Sequence, residues 1–234
     1  MNAPRIRIGV FGGTFNPIHH CHLTIARQAR QRAELDRILF IPTGDPPHKP
    51  THLLAPARDR LEMVRLAIAS DPGFYLSEVE VRRAAKSYSI DTIRLLRAEH
   101  PGADLFFIIG LDAFLEVEGW KQASELISTT HFVVVPRPGM AFTSLARMPL
   151  LHAVDPEILA LFDAGRADRL DVPLTSETTM ILLRLPLCPI SASDIRARLA
   201  KGQPVANLLP DPVESYILCH ELYREKANRP RSKS

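Results

Sequence analysis

Residues Leu105-Phe106-Phe107-Ile108-Ile109 form an unbroken apolar run that closes on Gly110, and this run constrains the fold of the 234-residue chain more than any other segment. A strand with one face in water alternates apolar and polar side chains, whereas a continuous apolar run needs cover on both faces, as in a parallel sheet between helices. The rest of the pattern agrees. Ile6, Ile8 and Val10 open a strand, and a helix with Leu23, Ala26 and Ala29 on one face follows. Arg37 to Pro42 reads as a strand, Arg58 to Ser70 as a helix with Leu61, Val64 and Ile68 on its apolar side, Phe74 to Val81 as an alternating strand, and Ser89 to Glu99 as a helix. Trp120 to Ser128 reads as a helix, Phe132 to Val135 as a buried strand, Met180 to Leu185 as the last strand, and helices begin near Ser191 and Val213. Repeated strand–helix units predict an α/β fold: a Rossmann-like, doubly wound, mostly parallel sheet with helices on both faces and a C-terminal helical part.

The expected organisation is one domain over residues 1–226, within which 140–177 is an irregular peripheral segment broken by Pro149, Pro156 and Pro173, with only Pro156 to Asp163 helical. Residues 227–234, with Arg229, Arg231 and Lys233, read as a disordered basic tail. A hydrophobic fraction of 46% with 24% charged residues fits a soluble globular domain. The net charge of +3 comes from basic residues spread along the chain, which argues against a nucleic-acid surface. No apolar run reaches the ~18 residues of a membrane span or the pattern of a signal peptide. Cys21, Cys188 and Cys219 lie far apart and form neither a C-x-x-C pair nor an even set, so a reducing cytoplasm and free thiols are expected.

In such a sheet, ligands bind beyond the carboxyl ends of the strands. Gly12-Gly13, Thr43-Gly44, Gly110-Leu111-Asp112 and Pro136-Arg137 each follow a strand, so four loops are expected to converge on one crevice. Residues 10–23, Val-Phe-Gly-Gly-Thr-Phe-Asn-Pro-Ile-His-His-Cys-His-Leu, read as a strand breaking into a glycine turn and then a helix headed by histidines. Glycines let a ligand approach the backbone amides, and a helix N-terminus favours an anion. His19 and His22, three apart, share a face there and can donate to a phosphate that gains negative charge. Two other readings of the histidines are a structural pair and a zinc site with His20, Cys21, His48 or His52, although a second ligand pair with zinc-type spacing is missing. Ser191-Ala-Ser-Asp194 has the form of a capping box; Ser193 and Arg196 add a hydroxyl and a guanidinium to its first turn.

The 10–23 segment resembles the [H/T]-x-G-H signature of the nucleotidyltransferase superfamily, and its Gly-Gly-Thr-Phe-Asn-Pro lead-in is similar to bacterial nicotinate-nucleotide adenylyltransferases. The resemblance continues through Pro46-Pro47-His48-Lys49, Arg60-Leu-Glu-Met63, Ser87-Tyr88-Ser89-Ile90-Asp91-Thr92, Phe107-Ile-Ile-Gly110-Leu-Asp112, Trp120, Arg137-Pro-Gly139, Ile190-Ser191-Ala192-Ser193-Asp194-Ile195-Arg196, and Leu209-Pro210 with Val213 and Tyr216-Ile217. These blocks stand in family order over roughly residues 6–224. Cys21 replaces the signature glycine, and Lys86 stands where many relatives have proline.

The resemblance implies adenylyl transfer from ATP to nicotinate mononucleotide. On it, His19, His22 and Arg196 are catalytic; Gly12, Gly13, Thr14, Phe15, Lys49, Gly110, Asp112, Ile190 and Ser193 bind ATP. Trp120 stacks the pyridine ring, backbone N–H groups near Ile90 and Lys121 hold its carboxylate beside Ser89, and Arg137 serves the mononucleotide. Mg²⁺ is expected on the ATP phosphates with water as its other ligands and no protein metal ligand. The bland readings are core packing for Trp120, a turn residue for Asp112 and a solvated charge for Lys49; Arg60 and Met63 read as packing residues. The expected partners are ATP and nicotinate mononucleotide, with neither nucleic acid nor membrane. Alternatives are another acceptor, such as nicotinamide mononucleotide or phosphopantetheine, and a non-catalytic nucleotide sensor. At about 100° per residue, Cys21 projects roughly 130° from the midpoint of the two histidines, so it is expected to be a buried inert thiol turned toward the helix–sheet packing.

Overall fold

The computed structural model describes residues 5–45, 54–83, 86–151 and 154–224. Seven strands, β1 (Arg7–Gly13), β2 (Arg37–Pro42), β3 (Phe74–Leu76), β4 (Asp104–Gly110), β5 (His131–Val135), β6 (Arg169–Pro173) and β7 (Thr179–Leu183), form one sheet in the order β3-β2-β1-β4-β5-β7-β6. All neighbouring pairs are parallel except β6 with β7. β1 lies between β2 and β4, aligning Val10 with Leu39 on one side and with Phe107 on the other.

Side chains alternate between the two faces of each strand, and two cores result. Phe11, Ile38, Phe40, Phe106, Ile108, Val133 and Ile181 face helices α1 (His20–Arg32), α2 (Ala57–Ile68), α7 (Ala192–Ala200) and α8 (Asp211–Cys219). Ile8, Val10, Leu39, Leu105, Phe107, Ile109 and Phe132 face α3 (Ser89–Glu99), α4 (Leu111–Phe114), α5 (Ala123–Thr129) and α6 (Pro156–Asp163). The run 105–109 is therefore buried on both sides, as its composition requires.

Several expectations differ from the structure in detail. β1 continues through Gly13, which pairs with Pro42, so the two glycines end a strand instead of forming a turn. The strand expected over 74–81 stops at Leu76, because the chain turns at Arg82 N–H to Glu78 C=O and buries Glu80 where alternation would have buried an apolar residue. Trp120 precedes α5 and ends a single 3₁₀ turn, Val117–Gly119; Gln122, in the left-handed region with φ +51°, separates it from the helix. The segment 140–177 contains, besides α6, the antiparallel edge strand β6. Its charged Arg169 and Asp171 and its terminal proline hid it in the sequence, and all three suit an edge strand. The region from Pro46 to His52, with the Pro46-Pro47-His48-Lys49 block, lies outside the described residues, as does the tail from 225.

Arg60 corrects a further expectation. It shares the buried stripe of α2 with Met63, Val64 and Ala67, yet its guanidinium does more than pack. Nε donates to Ala55 C=O at 3.0 Å, Nη1 to Thr14 C=O at 2.9 Å and Nη2 to Gly44 C=O at 3.1 Å. One side chain thus fixes the loops that follow β1 and β2 and the lead-in to α2. Arg60→Met preserves the stem but leaves three carbonyls without their donor. The variant should lose roughly 2–4 kcal/mol of stability; urea unfolding at neutral pH checks this, and a loss under about 0.5 kcal/mol would show that Arg60 only packs.

Candidate active site

A cavity of about 760 Å³ opens at the carboxyl ends of β1 and β4. Its lining includes Gly12 and Gly13 at the end of β1 with Thr14 beyond it, Thr43 after β2, Gly110 at the end of β4 and Arg137 after β5, so the expected convergence of strand ends occurs. Ser87, Tyr88, Ser89 and Thr92 of the α3 lead-in, with Trp120 and Lys121, form another part of the wall.

Thr14 leads from this cavity to the histidines. His19 is the N-cap of α1 and His22 its third helical residue; His22 Nδ1 accepts from the His19 N–H at 3.2 Å, and the two rings lie 3.7 Å apart between centroids. Phe15, at φ +44°, is buried and presents its ring edge-on to His22 at 5.1 Å, so its side chain supports the histidine within the core. His19 is 6% exposed, and its pKa is pushed down to about 4, first by burial and then by the charges of His20 and Arg137. It is therefore neutral near pH 7. Nδ1 of that ring is buried and has no hydrogen-bond partner among the described residues.

Arg196, in the first turns of α7, reaches the same segment across the crevice: Nη1 donates to Asn16 C=O at 2.8 Å and Nη2 to Ser193 Oγ at 3.2 Å. Ser191 caps α7 by accepting from the Asp194 N–H, as its capping pattern suggests. Asn16 Oδ1 accepts from Ala55 N–H at 3.0 Å and from Tyr223 Oη at 2.8 Å. His19, His22, Ser193 and Arg196 are thus brought together around residues 15–22, although none lines the main cavity.

Asp112 and Arg137 form an ion pair, Nε to Oδ1 at 2.8 Å. The pair sits against Gly110, where an added Cβ would meet Arg137 Nε and Asp112 Oδ1, the ends of two exposed side chains, so a larger residue there would displace the pair. Lys121 pairs with Asp91 at 2.9 Å and lies 4.6 Å from the Tyr88 ring centroid. Trp120 is half-buried and meets Phe107 edge-on at 6.3 Å, leaving it both a packing residue and a cavity wall. The Ile90 side chain is buried in the core, so only its backbone, in the first turn of α3, can serve a ligand. Ile190 is half-buried and packs against the α1 side of the sheet.

Glu80 was not singled out by sequence. It is 7% exposed, lines the cavity and accepts from Thr92 Oγ1 at 2.7 Å; burial raises its pKa. Its charged neighbourhood gave no signal. Arg60 did give one, an arginine on an apolar stripe.

The expected free thiols are corrected as well. Cys21 is buried and turned from the histidines, as helical geometry requires, but it is disulfide-bonded to Cys188 and is not a thiol packed against the sheet. The long separation of 167 residues concealed the pair. Cys219 is free and exposed. Among the described residues no group of three or more His, Cys, Asp or Glu is placed to hold a metal; His48 and His52 of the zinc alternative lie outside them. Nor is any helix among the described residues long and apolar enough to cross a membrane.

This crevice at a strand-order reversal defines a class. Residues 10–198 match the cytidylyltransferase-like family model, and the chain belongs to that family. More narrowly, it is one of the nicotinate-nucleotide adenylyltransferases. It is 43% identical over 224 residues to a "Probable nicotinate-nucleotide adenylyltransferase" of Geobacter sp. (strain M21), covering 93% of this chain and 98% of the relative. It is 42% identical over 222 residues to one from Clavibacter michiganensis, covering 95% and 96%. A nicotinic acid mononucleotide adenylyltransferase of Plasmodium falciparum, solved in complex with NaAD, shares the fold with a TM-score of 0.68 at 17% identity, over 93% of this chain and 97% of that one.

The buried, neutral His19 has a consequence for stability. Between pH 6.5 and about 4 the unfolded chain holds a proton at this residue that the native chain does not, so the native state loses stability as pH falls through this window. On moving from pH 7.5 to pH 5, His19→Asn should lose about 2 kcal/mol less than the parent chain. Urea unfolding of both chains at the two pH values checks this; identical pH dependence would show that His19 is not held neutral.

Proposed function

We propose that this chain transfers the adenylyl group of ATP to nicotinate mononucleotide, yielding deamido-NAD and pyrophosphate. The observation that carries the reading is the single crevice at the ends of β1 and β4, joined to paired histidines on one segment and walled by Trp120 at another. The chain's similarity to named adenylyltransferases over nearly its full length supports the same reaction. Residues 1–226 act as one nucleotidyltransferase unit in the cytoplasm.

The mononucleotide phosphate is already an anion, so it can attack the α-phosphorus in line, and the protein's task is positioning and charge neutralisation. Gly12, Gly13, Thr14, Phe15, Lys49, Gly110, Asp112, Ile190 and Ser193 belong to the ATP side in this reading. His19, His22 and Arg196 neutralise the phosphates: Arg196 is held by Asn16 and Ser193, and the buried Nδ1 of His19, without a hydrogen-bond partner among the described residues, gains a phosphate to bond. A bound polyphosphate favours the protonated imidazole and opposes the burial that keeps His19 neutral. Mg²⁺, held through the ATP phosphates and water, would supply further charge neutralisation.

On the acceptor side, Trp120 offers an aromatic face to a cationic pyridinium. Ser89 and Ile90 begin α3, where free N–H groups favour the ring carboxylate, with Lys121 nearby and Arg137 for the mononucleotide. The acid should therefore be used in preference to the amide by at least about tenfold in kcat/KM. Pyrophosphate release measured in parallel with nicotinate mononucleotide, nicotinamide mononucleotide and phosphopantetheine tests this. Equal rates with acid and amide would refute the acceptor assignment, and no release with any of them would favour a nucleotide sensor.

His22→Ala should reduce kcat about 10²- to 10³-fold, as for removal of one oriented transition-state donor. Near-normal turnover with a much earlier melting transition would instead make the histidine structural. Trp120→Ala should raise KM for the mononucleotide more than KM for ATP; steady-state kinetics with each substrate varied in turn decides, and the reverse order would place Trp120 outside the acceptor pocket.

A further inference from the structure

The Cys21–Cys188 bond joins two segments that carry the phosphate-binding groups. Cys21 lies between His20 and His22 in the first turn of α1; Cys188 lies in the stretch between β7 and Ser191, the cap of α7. The Cα atoms are 5.7 Å apart. Residues 186–190 make no hydrogen bond from their backbone to the described residues, and prolines at 186 and 189 remove two donors. Leu187 is 58% exposed, so at Cys188 itself the disulfide is the direct tie to α1, while Ile190 packs on the same core and Arg196 reaches Asn16 further along.

The two sulfurs differ in access. Cys21 is 3% exposed, whereas Cys188 is only half-buried. An incoming thiolate therefore meets Cys188 Sγ. The sulfur it expels is Cys21 Sγ, in the first turn of the 13-residue helix α1.

From this arrangement we infer that Cys21 and Cys188 form a thiol–disulfide exchange site for low-molecular-weight thiols of the glutathione class, whose state sets how tightly ATP is held. In reduction, a glutathione thiolate bonds to Cys188 Sγ, the S–S bond breaks, and its electron pair leaves on Cys21 as a thiolate. A second thiolate attacks the mixed disulfide, releasing glutathione disulfide and the Cys188 thiolate; both cysteine thiolates take up protons according to pH. Oxidation is the reverse, with glutathione disulfide accepting the two electrons. In the linked form the α1 turn and the α7 lead-in are held together covalently before ligand arrives; in the reduced form noncovalent contacts such as Ile190 packing and the Arg196–Asn16 hydrogen bond join them, and ATP bears more of the ordering cost. The effect on ATP rests on the proposed function, but formation of the bond does not.

The test uses the full chain carrying Cys219→Ser, which removes the exposed third thiol. The protein is equilibrated across ratios of glutathione to glutathione disulfide, quenched by alkylation and analysed by peptide mass mapping. ATP affinity is measured by calorimetry on the fully oxidised and fully reduced forms, and KM for each substrate is measured alongside. A single two-electron transition linking Cys21 to Cys188 is expected, with ATP bound at least about fivefold more weakly after reduction and KM for the mononucleotide changed less. Cys188→Ser should bind ATP like the reduced form and lose all response to the buffer. Absence of the link at every ratio overturns the proposal, as does equal ATP affinity of the two forms. Failure to release pyrophosphate in either form would count against the proposed reaction alone, because mass mapping and calorimetry still decide the exchange site.

Discussion

The pairing of β1 with β2 on one side and β4 on the other is the constraint on which the rest depends. The chain winds outward from β1 to β2 and β3, then returns to β4 beside β1 and winds the other way. Connections leaving β1 and β4 must therefore diverge to opposite faces, and the gap between them is the crevice. α1 goes to one core, whereas α3, α4 and α5 go to the other. The cavity is consequently lined by the last residues of β1 and β4, Gly12 and Gly13 with Ile109 and Gly110, and a side chain on Gly110 would push aside the Arg137–Asp112 pair.

A crevice made by divergence must still be held at a fixed width, and here buried polar groups do that. Arg60 donates to three backbone carbonyls, two of them in the loops that carry Thr14 and Gly44. Asn16 accepts on its carbonyl from Arg196 and on its side chain from Ala55 and Tyr223, which ties the β1 loop to α7, to the α2 lead-in and to the C-terminal turn. Such groups stabilise only when all partners are present. Burial depresses the proton affinity of the Arg60 guanidinium, with Tyr223 and Glu80 opposing it, so the network carries a desolvation cost that its hydrogen bonds offset.

What the sequence disclosed follows the reach of each physical signal. Run 105–109 disclosed a doubly covered strand because burial on both faces leaves no polar position, and the Ser191 cap was visible because capping spans only three residues. β6 was hidden because its two apolar residues, Leu170 and Val172, alternate with Arg169, Asp171 and Pro173 over only five residues, too short a run to stand out in a proline-broken segment. Position 80 was hidden for a different reason: its carboxyl is buried by a turn of the chain, and a turn built from Glu78, Val79 and Arg82 lacks glycine or proline. Arg60 was read as packing because helical periodicity locates a buried stripe but not the carbonyls of distant loops. At the site, motif spacing placed His19 beside His22, while the pairing of Asp112 with Arg137 and of Lys121 with Asp91 required tertiary structure.

Position 21 brings these levels together. Glycine stands there in the superfamily signature, where any side chain risks crowding a nucleotide, yet this chain carries cysteine. On a helix, position 21 lies roughly 130° from the midpoint of positions 19 and 22 at about 100° per residue, so its sulfur leaves from behind the histidines. The structure directs it to Cys188, in the lead-in to α7. A side chain at this position is thus compatible with the close contact of the His19 and His22 rings, because what it meets is the opposite motif's lead-in and not the phosphate side. The link consequently runs alongside the noncovalent tie from Arg196 to Asn16: both join α1's entry to α7, one through a guanidinium that must also serve a ligand and one through sulfur that need not.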